Sequence, residues 1–177
     1  MICDYTWRPN TEPINNIKGV ENVLDAVEET IENSLIYTPP VINGIPVSVP
    51  VAKKVIFVST DKACSPVNFY GMCKAISEKL TIEKAKKMEG KCTFVVVRYG
   101  NVLNSRGSIV PLFHEIGKSD TMEYKLTHPD MTRFIITLDD SVKLINYAIN
   151  YGNNGCIYVP KLPSCKISDM IEIFAEK

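Results

Sequence analysis

Two hydrophobic patterns alternate along the chain. From Asn16 to about Glu32 the apolar residues Ile17, Val20, Val23, Leu24, Val27 and Ile31 recur every three or four positions, which predicts an amphipathic helix. The run Val55-Ile56-Phe57-Val58 is instead continuous, β-branched and aromatic. It breaks off at Ser59-Thr60-Asp61-Lys62, which predicts a buried parallel strand with a polar tip. Helical periodicity returns after Pro66 and continues through Ile76, Leu80 and Ala85 to about Met88, with Gly90 as a stop signal. The charged residues of this helix, Glu78, Lys79, Glu83, Lys84, Lys86 and Lys87, predict a solvated outer face. Thr93 to Arg98 reads as a second parallel strand. Thr137-Leu138-Asp139-Asp140 then opens a helix that runs to about Asn150 and is expected to bury Val142, Leu144, Ile145 and Ala148. A short strand from Cys156 to Val159 and a last helix from about Ser168 complete the alternation expected of an α/β fold with a parallel sheet.

Two segments interrupt this order. The opening MICDYTWRPN has no period and reads as a loop or ragged end. Between Ser34 and Pro50, residues Pro39, Pro40, Pro46 and Pro50 remove donors and fix φ, so a regular helix or central strand is not expected there. That segment, 34–50, reads as a surface insertion in which Asn43-Gly44 can turn a short hairpin.

Composition narrows the function classes. The 177 residues are 45% hydrophobic and 23% charged, enough for one domain with a core. Zero formal net charge supplies no electrostatic reason for binding nucleic acid or an anionic membrane surface. No signal peptide and no apolar run of spanning length is present, so a cytoplasmic protein is expected. The six cysteines, Cys3, Cys64, Cys73, Cys92, Cys156 and Cys165, form no C-x-x-C pair and no metal spacing; buried thiols in a reducing compartment are expected, and no metal site. His114 and His128 have no partner at metal-ligand spacing.

Candidate chemistry gathers around the first strand. The carboxyl end of a parallel strand opens into the crevice where α/β sheets bind ligands, so Thr60, Asp61 and Lys62 are placed to meet a substrate. Tyr70 and Lys74 are four positions apart, which puts both on one helix face. A cation held beside a tyrosine favours its phenolate, so the pair can work as a base closer to neutral pH than tyrosine alone.

The string STDKACSPVNFYGMCK resembles the active-site segment of the extended short-chain dehydrogenase/reductases, specifically the UDP-N-acetylglucosamine 4,6-dehydratases of polysaccharide biosynthesis. Further resemblances follow in order: NNIKGVENVLDA (Asn15 to Ala26), RYGNVLNSRGSIVPLF (Arg98 to Phe113), MTRF (Met131 to Phe134) and VPKLPSCKISDM (Val159 to Met170). They cover most of the chain apart from the first dozen residues and the insertion. The resemblance implies a partial Rossmann-like, doubly wound parallel sheet with substrate-side segments near 99–135 and 156–177. The strand-glycine-helix loop that seats a dinucleotide pyrophosphate is absent from the sequence, and in the family it lies ahead of everything seen here. The sequence therefore reads as an internal piece, preceded in the family by on the order of 60 to 100 residues.

The resemblance also implies roles. Thr60, Asp61, Lys62, Tyr70 and Lys74 would be catalytic; Tyr70, Lys74, Ser59 and Tyr99 would border NADP (or NAD); Asn101, Ser105, Arg106 and Arg133 would hold UDP-N-acetylglucosamine or a similar nucleotide sugar. Asn16 either caps its helix or, as in the family, joins the hydrogen-bond network of the site. Tyrosine at position 70 points to the short, C5-inverting relatives rather than the long membrane-anchored ones, which often carry methionine there. Relatives commonly assemble as oligomers, so a homo-oligomer is expected. The isolated chain is expected to bind NADP weakly or not at all and to show no turnover. The rival expectation is a non-catalytic remnant that binds a sugar nucleotide or a partner.

Overall fold

A computed structural model describes residues 12–36, 41–42, 45–46, 52–118 and 123–175. The expected ragged end, Cys3 and part of the insertion lie outside the described residues. Helix α1 (Glu12–Ile36) precedes a hairpin of β1 (Val41–Ile42) and β2 (Ile45–Pro46), in which Val41 pairs with Pro46 and Ile42 with Ile45. Strand β3 (Lys54–Thr60), a 3-10 turn (Asp61–Ala63) and helix α2 (Phe69–Lys87) follow. Then come β4 (Thr93–Tyr99), β5 (Asn101–Val102), α3 (Ile109–Ile116), β6 (Thr132–Ile136), α4 (Leu138–Tyr151), β7 (Ile157–Tyr158), β8 (Ser164–Lys166) and α5 (Ile167–Ala175).

The main sheet is parallel, in the order β3-β4-β7, with Lys54 to Thr60 in register against Thr93 to Tyr99. Alternation along β4 sorts its side chains onto two faces. Phe94 packs with Leu24 and Ile31 of α1, Ala85 of α2 and Met88. Val95 and Val97 pack with Ala148, Leu144 and Ile145 of α4. Phe94 through Val97 are all fully buried, as a strand covered by helices on both sides must be. This is the doubly wound layering expected from the sequence. A second small sheet, β5-β6-β8, pairs β5 parallel and β8 antiparallel to β6, and packs against α3 and α5 through Phe113, Ile167 and Met170.

Local chemistry explains the element ends. The Asn68 side chain accepts from the Gly71 amide at 2.8 Å and caps α2, so the helix starts later than Pro66 suggested. Gly90 takes φ +77, the left-handed region that stops a helix. Thr137 caps α4 by accepting from the Asp140 amide, with Asp139 and Asp140 in the first turn. At the other end Lys54 Nζ donates to the carbonyls of Ala148, Ile149 and Gly152 at 3.4, 2.7 and 3.1 Å, satisfying the terminal acceptors of α4.

Three burial expectations need correction. Val142 is 47% exposed, because α4 lays Leu144, Ile145 and Ala148 on the sheet and leaves Val142 on its flank. Val23 of α1 is likewise exposed, while Val20, Leu24, Val27 and Ile31 face α2 and the sheet. Of the described cysteines only Cys73 and Cys92 are buried; Cys64 and Cys156 are exposed and Cys165 is intermediate.

Candidate active site

The tip of β3 and the turn after it form one bonded group. Thr60 Oγ1 donates to Asp61 Oδ1 at 2.9 Å and accepts from the Lys62 amide at 3.4 Å, which caps the 3-10 turn. Lys62 Nζ lies 3.2 Å from Asp61 Oδ1 and 3.4 Å from Asn101 Oδ1. The ion pair is partly open to water, with side chains 31% and 27% exposed. Asn101 arrives from the second sheet, where the register sets it opposite Ile135, two residues along from Arg133.

Helix α2 closes against this group because position 71 has no side chain. A Cβ on Gly71 would stand 2.2 Å from the Lys62 carbonyl oxygen, so only glycine lets the first turn of α2 lie on the turn that carries Asp61 and Lys62. Tyr70 sits in that first turn, 48% exposed. One turn further Lys74 is half-buried; its Nζ donates to the Val58 carbonyl at 3.2 Å and lies 5.0 Å from the centre of the Phe57 ring. Tyr70, Cys73, Lys74 and Ser77 line a depression of about 70 Å³ together with Asn16 and Val20 of α1. Helix α1 begins four residues before Asn16, so Asn16 is not its cap; it borders the same depression as Tyr70.

Burial lowers the Lys74 amine below the ordinary lysine range, against the opposing pull of the Glu78 carboxylate. Lys74 is therefore expected to react with an amine-directed acylating reagent at lower pH than an exposed lysine such as Lys79. Peptide mapping of the modified protein between about pH 7 and about pH 10 checks this; superimposable profiles for the two residues would contradict it.

The charged face of α2 divides in a way its sequence conceals. Lys79, Glu83 and Lys86 are exposed as expected. Glu78 is 2% exposed, a correction to the solvated face. Its Oε1 accepts from Ser59 Oγ at 2.5 Å and Arg98 Nε at 2.7 Å, and its Oε2 from Arg98 Nη2 at 2.5 Å. The hydrogen bonds to Glu78 hold the Arg98 guanidinium above even its usual range. Lys84 also turns inward, bonding Asp25 and Glu28 of α1 at 2.7 Å each. Neither pairing was legible beforehand, although Tyr70, Lys74 and Glu78 recur every four residues and so share one stripe of α2.

Other candidate residues lie apart from this group. Ser59 points to the α2 side and is buried on Glu78. Tyr99 packs on the α4 side with Val97 and Leu144, and burial raises its hydroxyl above the ordinary tyrosine range. Ser105 and Arg106 stand exposed in the loop before α3. Arg133 donates to the Thr132 carbonyl of its own strand at 2.8 Å.

Comparison with known proteins bears on this arrangement. A family described as polysaccharide biosynthesis protein matches residues 16–177. The chain is 39% identical over 179 residues to an uncharacterized membrane protein of Methanocaldococcus jannaschii, covering 99% of this chain and 46% of that protein. It is 40% identical over 161 residues to a UDP-N-acetylglucosamine 4,6-dehydratase (inverting) of Campylobacter jejuni, covering 90% and 42%. It is 41% identical over 172 residues to a UDP-glucose 4-epimerase of Rickettsia felis, covering 94% and 44%. The solved structure of Pen from Bacillus thuringiensis, 31% identical, aligns with a TM-score of 0.76 over 91% of this chain and 45% of that one. The chain thus spans about half the length of the curated relatives it matches. Among the described residues no helix is long and apolar enough to cross a membrane. With the doubly wound sheet, the polar tip of β3 and the tyrosine-lysine helix beside it, the match over residues 16–177 means that the chain belongs to the polysaccharide biosynthesis protein family of extended short-chain dehydrogenase/reductases, which includes the UDP-N-acetylglucosamine 4,6-dehydratases.

Proposed function

We propose that this chain carries the substrate-transforming half of a cytoplasmic nucleotide-sugar 4,6-dehydratase that acts on UDP-N-acetylglucosamine, inverts C5 and serves polysaccharide or glycan synthesis. The observation that carries the reading is the bonded group Thr60, Asp61, Lys62 and Asn101 set against the helix of Tyr70 and Lys74. Removing water across C5 and C6 of a hexose needs an acid and a base beyond the one that works at the 4-hydroxyl, and Asp61 and Lys62 supply them.

Tyr70 accepts the proton of the sugar 4-hydroxyl, with the Lys74 cation favouring the phenolate, while Thr60 holds the 4-oxygen. The 4-ketone acidifies the C5 proton, which Lys62 removes as Asp61 protonates the departing 6-hydroxyl. Lys62 and Asp61 are bonded to each other and partly wet in the substrate-free chain. Substrate must exclude water so that the proton of the pair passes from Lys62 to Asp61 before the two part, leaving a neutral amine as the base and a protonated carboxyl as the acid. Asn101 with Ser105 orients the sugar nucleotide, and the forked donors of Arg106 and Arg133 suit the oxygens of a diphosphate.

A nicotinamide dinucleotide, NADP or NAD, supplies the hydride acceptor and donor when bound. Tyr70 and Lys74 suit its nicotinamide end. The depression they line is about 70 Å³, whereas ligand pockets run to roughly 300–1,000 Å³, so these residues hold one end of the molecule only. The 177 residues alone are expected to show weak or no NADP binding and no turnover; tight binding in a calorimetric titration would contradict this. The apolar side chains that α2 turns outward, Phe69, Met72 and Ile76, support self-association as part of the same reading.

A second reading, a 4-epimerase, draws on the 41% identity to the Rickettsia felis protein; it leaves Asp61 and Lys62 without a chemical task. A third is the non-catalytic, sugar-nucleotide-binding module. The test is a chimaera in which residues 16–177 replace the matched segment of the Campylobacter jejuni dehydratase, assayed with UDP-N-acetylglucosamine and with UDP-glucose. A C5-inverted 4-keto-6-deoxy product, lost on Lys62→Met, is the expected result. A C4 epimer would establish the second reading, and binding without turnover the third.

A further inference from the structure

Three chain segments that bear candidate residues converge on one buried carboxylate. Ser59, the residue before Thr60-Asp61-Lys62, donates to Glu78 from the tip of β3. Arg98, three residues before Asn101, donates through two nitrogens from the end of β4. Glu78 itself lies one turn beyond Lys74 on α2. We propose that Glu78 is a positioning residue, which through Ser59 and Arg98 fixes the distance between the Thr60-Asp61-Lys62 turn and the Tyr70–Lys74 face of α2.

The geometry leaves Glu78 little other work. Its carboxylate is enclosed and its bonds all run to these two partners among the described residues, so it has no access to a substrate. Hydrogen bonds to an ionised, desolvated acceptor are the strong and directional kind, suited to holding two strand tips and a helix in one register. Lys74, one turn earlier on α2, reaches a single backbone carbonyl of β3, whereas Glu78 takes both a guanidinium fork and a hydroxyl. Without the carboxylate the turn and the helix keep their own folds and lose their mutual setting.

The role rests on reading Thr60, Asp61, Lys62, Tyr70 and Lys74 as one site, but its test uses neither sugar nucleotide nor dinucleotide. The 177-residue chain is compared with Ser59→Ala, Glu78→Gln and a control, Leu24→Ala, which weakens the α1 core away from the turn. Two native-state signals are read below the unfolding transition. One is amide exchange at Lys62 and Cys64, whose N–H groups bond Thr60 Oγ1 and the Asp61 carbonyl. The other is the NMR resonance of ¹³C-dimethylated Lys74, which the Phe57 ring, 5.0 Å from Nζ, is expected to displace from that of exposed lysines. Ser59→Ala and Glu78→Gln are expected to speed exchange at the turn about tenfold beyond the control at equal global stability, and to move the Lys74 resonance toward the exposed value. Exchange that follows global stability alone, or a Lys74 resonance unchanged in the folded variants, overturns the proposal. Should Glu78→Gln not fold, Ser59→Ala decides it, since it leaves the Glu78–Arg98 pair in place. A chimaera without turnover would refute the dehydratase reading and leave these two signals untouched.

Discussion

Glu78→Leu is expected to destabilise the fold by about 3–5 kcal/mol, the loss typical of removing one partner from a buried ion pair. The reason is Arg98, whose side chain is 20% exposed and directs two nitrogens at Glu78. Without the carboxylate its charge stays largely desolvated with no counter-ion, and Ser59 Oγ loses its acceptor as well. The double variant Glu78→Leu, Arg98→Met removes both charges together, and its stability is expected to return to within about 1–2 kcal/mol of the parent or to exceed it. Urea unfolding of the three proteins checks the pattern. A single variant as stable as the parent would mean that water reaches Arg98 and that the pair does little for stability.

Gly71→Ala is expected to carry the second large effect, about 1–3 kcal/mol or more. The added methyl would meet the Lys62 carbonyl oxygen at 2.2 Å and the Lys62 carbonyl carbon and Pro66 Cβ at 3.1 Å. Two of these three atoms are backbone, and the third belongs to a proline ring, so no flexible side chain can give way. The first turn of α2 must retreat and take Tyr70 away from Lys62. Gly19→Ala is the matched control: it too lies in a helix, nothing stands within 4 Å of its added methyl, and the change is expected to stabilise by about 0.4–1 kcal/mol. Equal gains at both positions would show that helix propensity, not contact with the turn, sets the result.

These two positions mark where sequence reading runs out. Glu78 stands among Lys79, Glu83, Lys86 and Lys87, and by composition it belongs to a wet helix face. What buries it is Arg98, 20 residues on, delivered by the register of β4 against β3. The small residues Cys73, Ser77, Thr81 and Ala85 let α2 sit close to the sheet, and that closeness turns Glu78 inward. Asn16 shows the same limit. Its type suggested a cap, but α1 starts earlier, and its place beside Tyr70 depends on how two helices pack. Apolar character alone places Val142 in the core, whereas the line of contact along α4 runs through Leu144, Ile145 and Ala148.

The alternation of strand and helix, the two main parallel strands, the polar tip of the first and the tyrosine-lysine stripe were all readable from the order of residues. Each depends on periodicity or chemistry within a few positions, and such short-range patterns survive in one dimension. The tertiary structure alone decided that Lys62 is bonded to Asn101, that Gly71 is the point where helix meets turn, and that Ser59 and Arg98 share one buried carboxylate. Those contacts join residues from separate elements, and the distances between them are set by packing density and strand register, quantities that no local stretch of sequence contains.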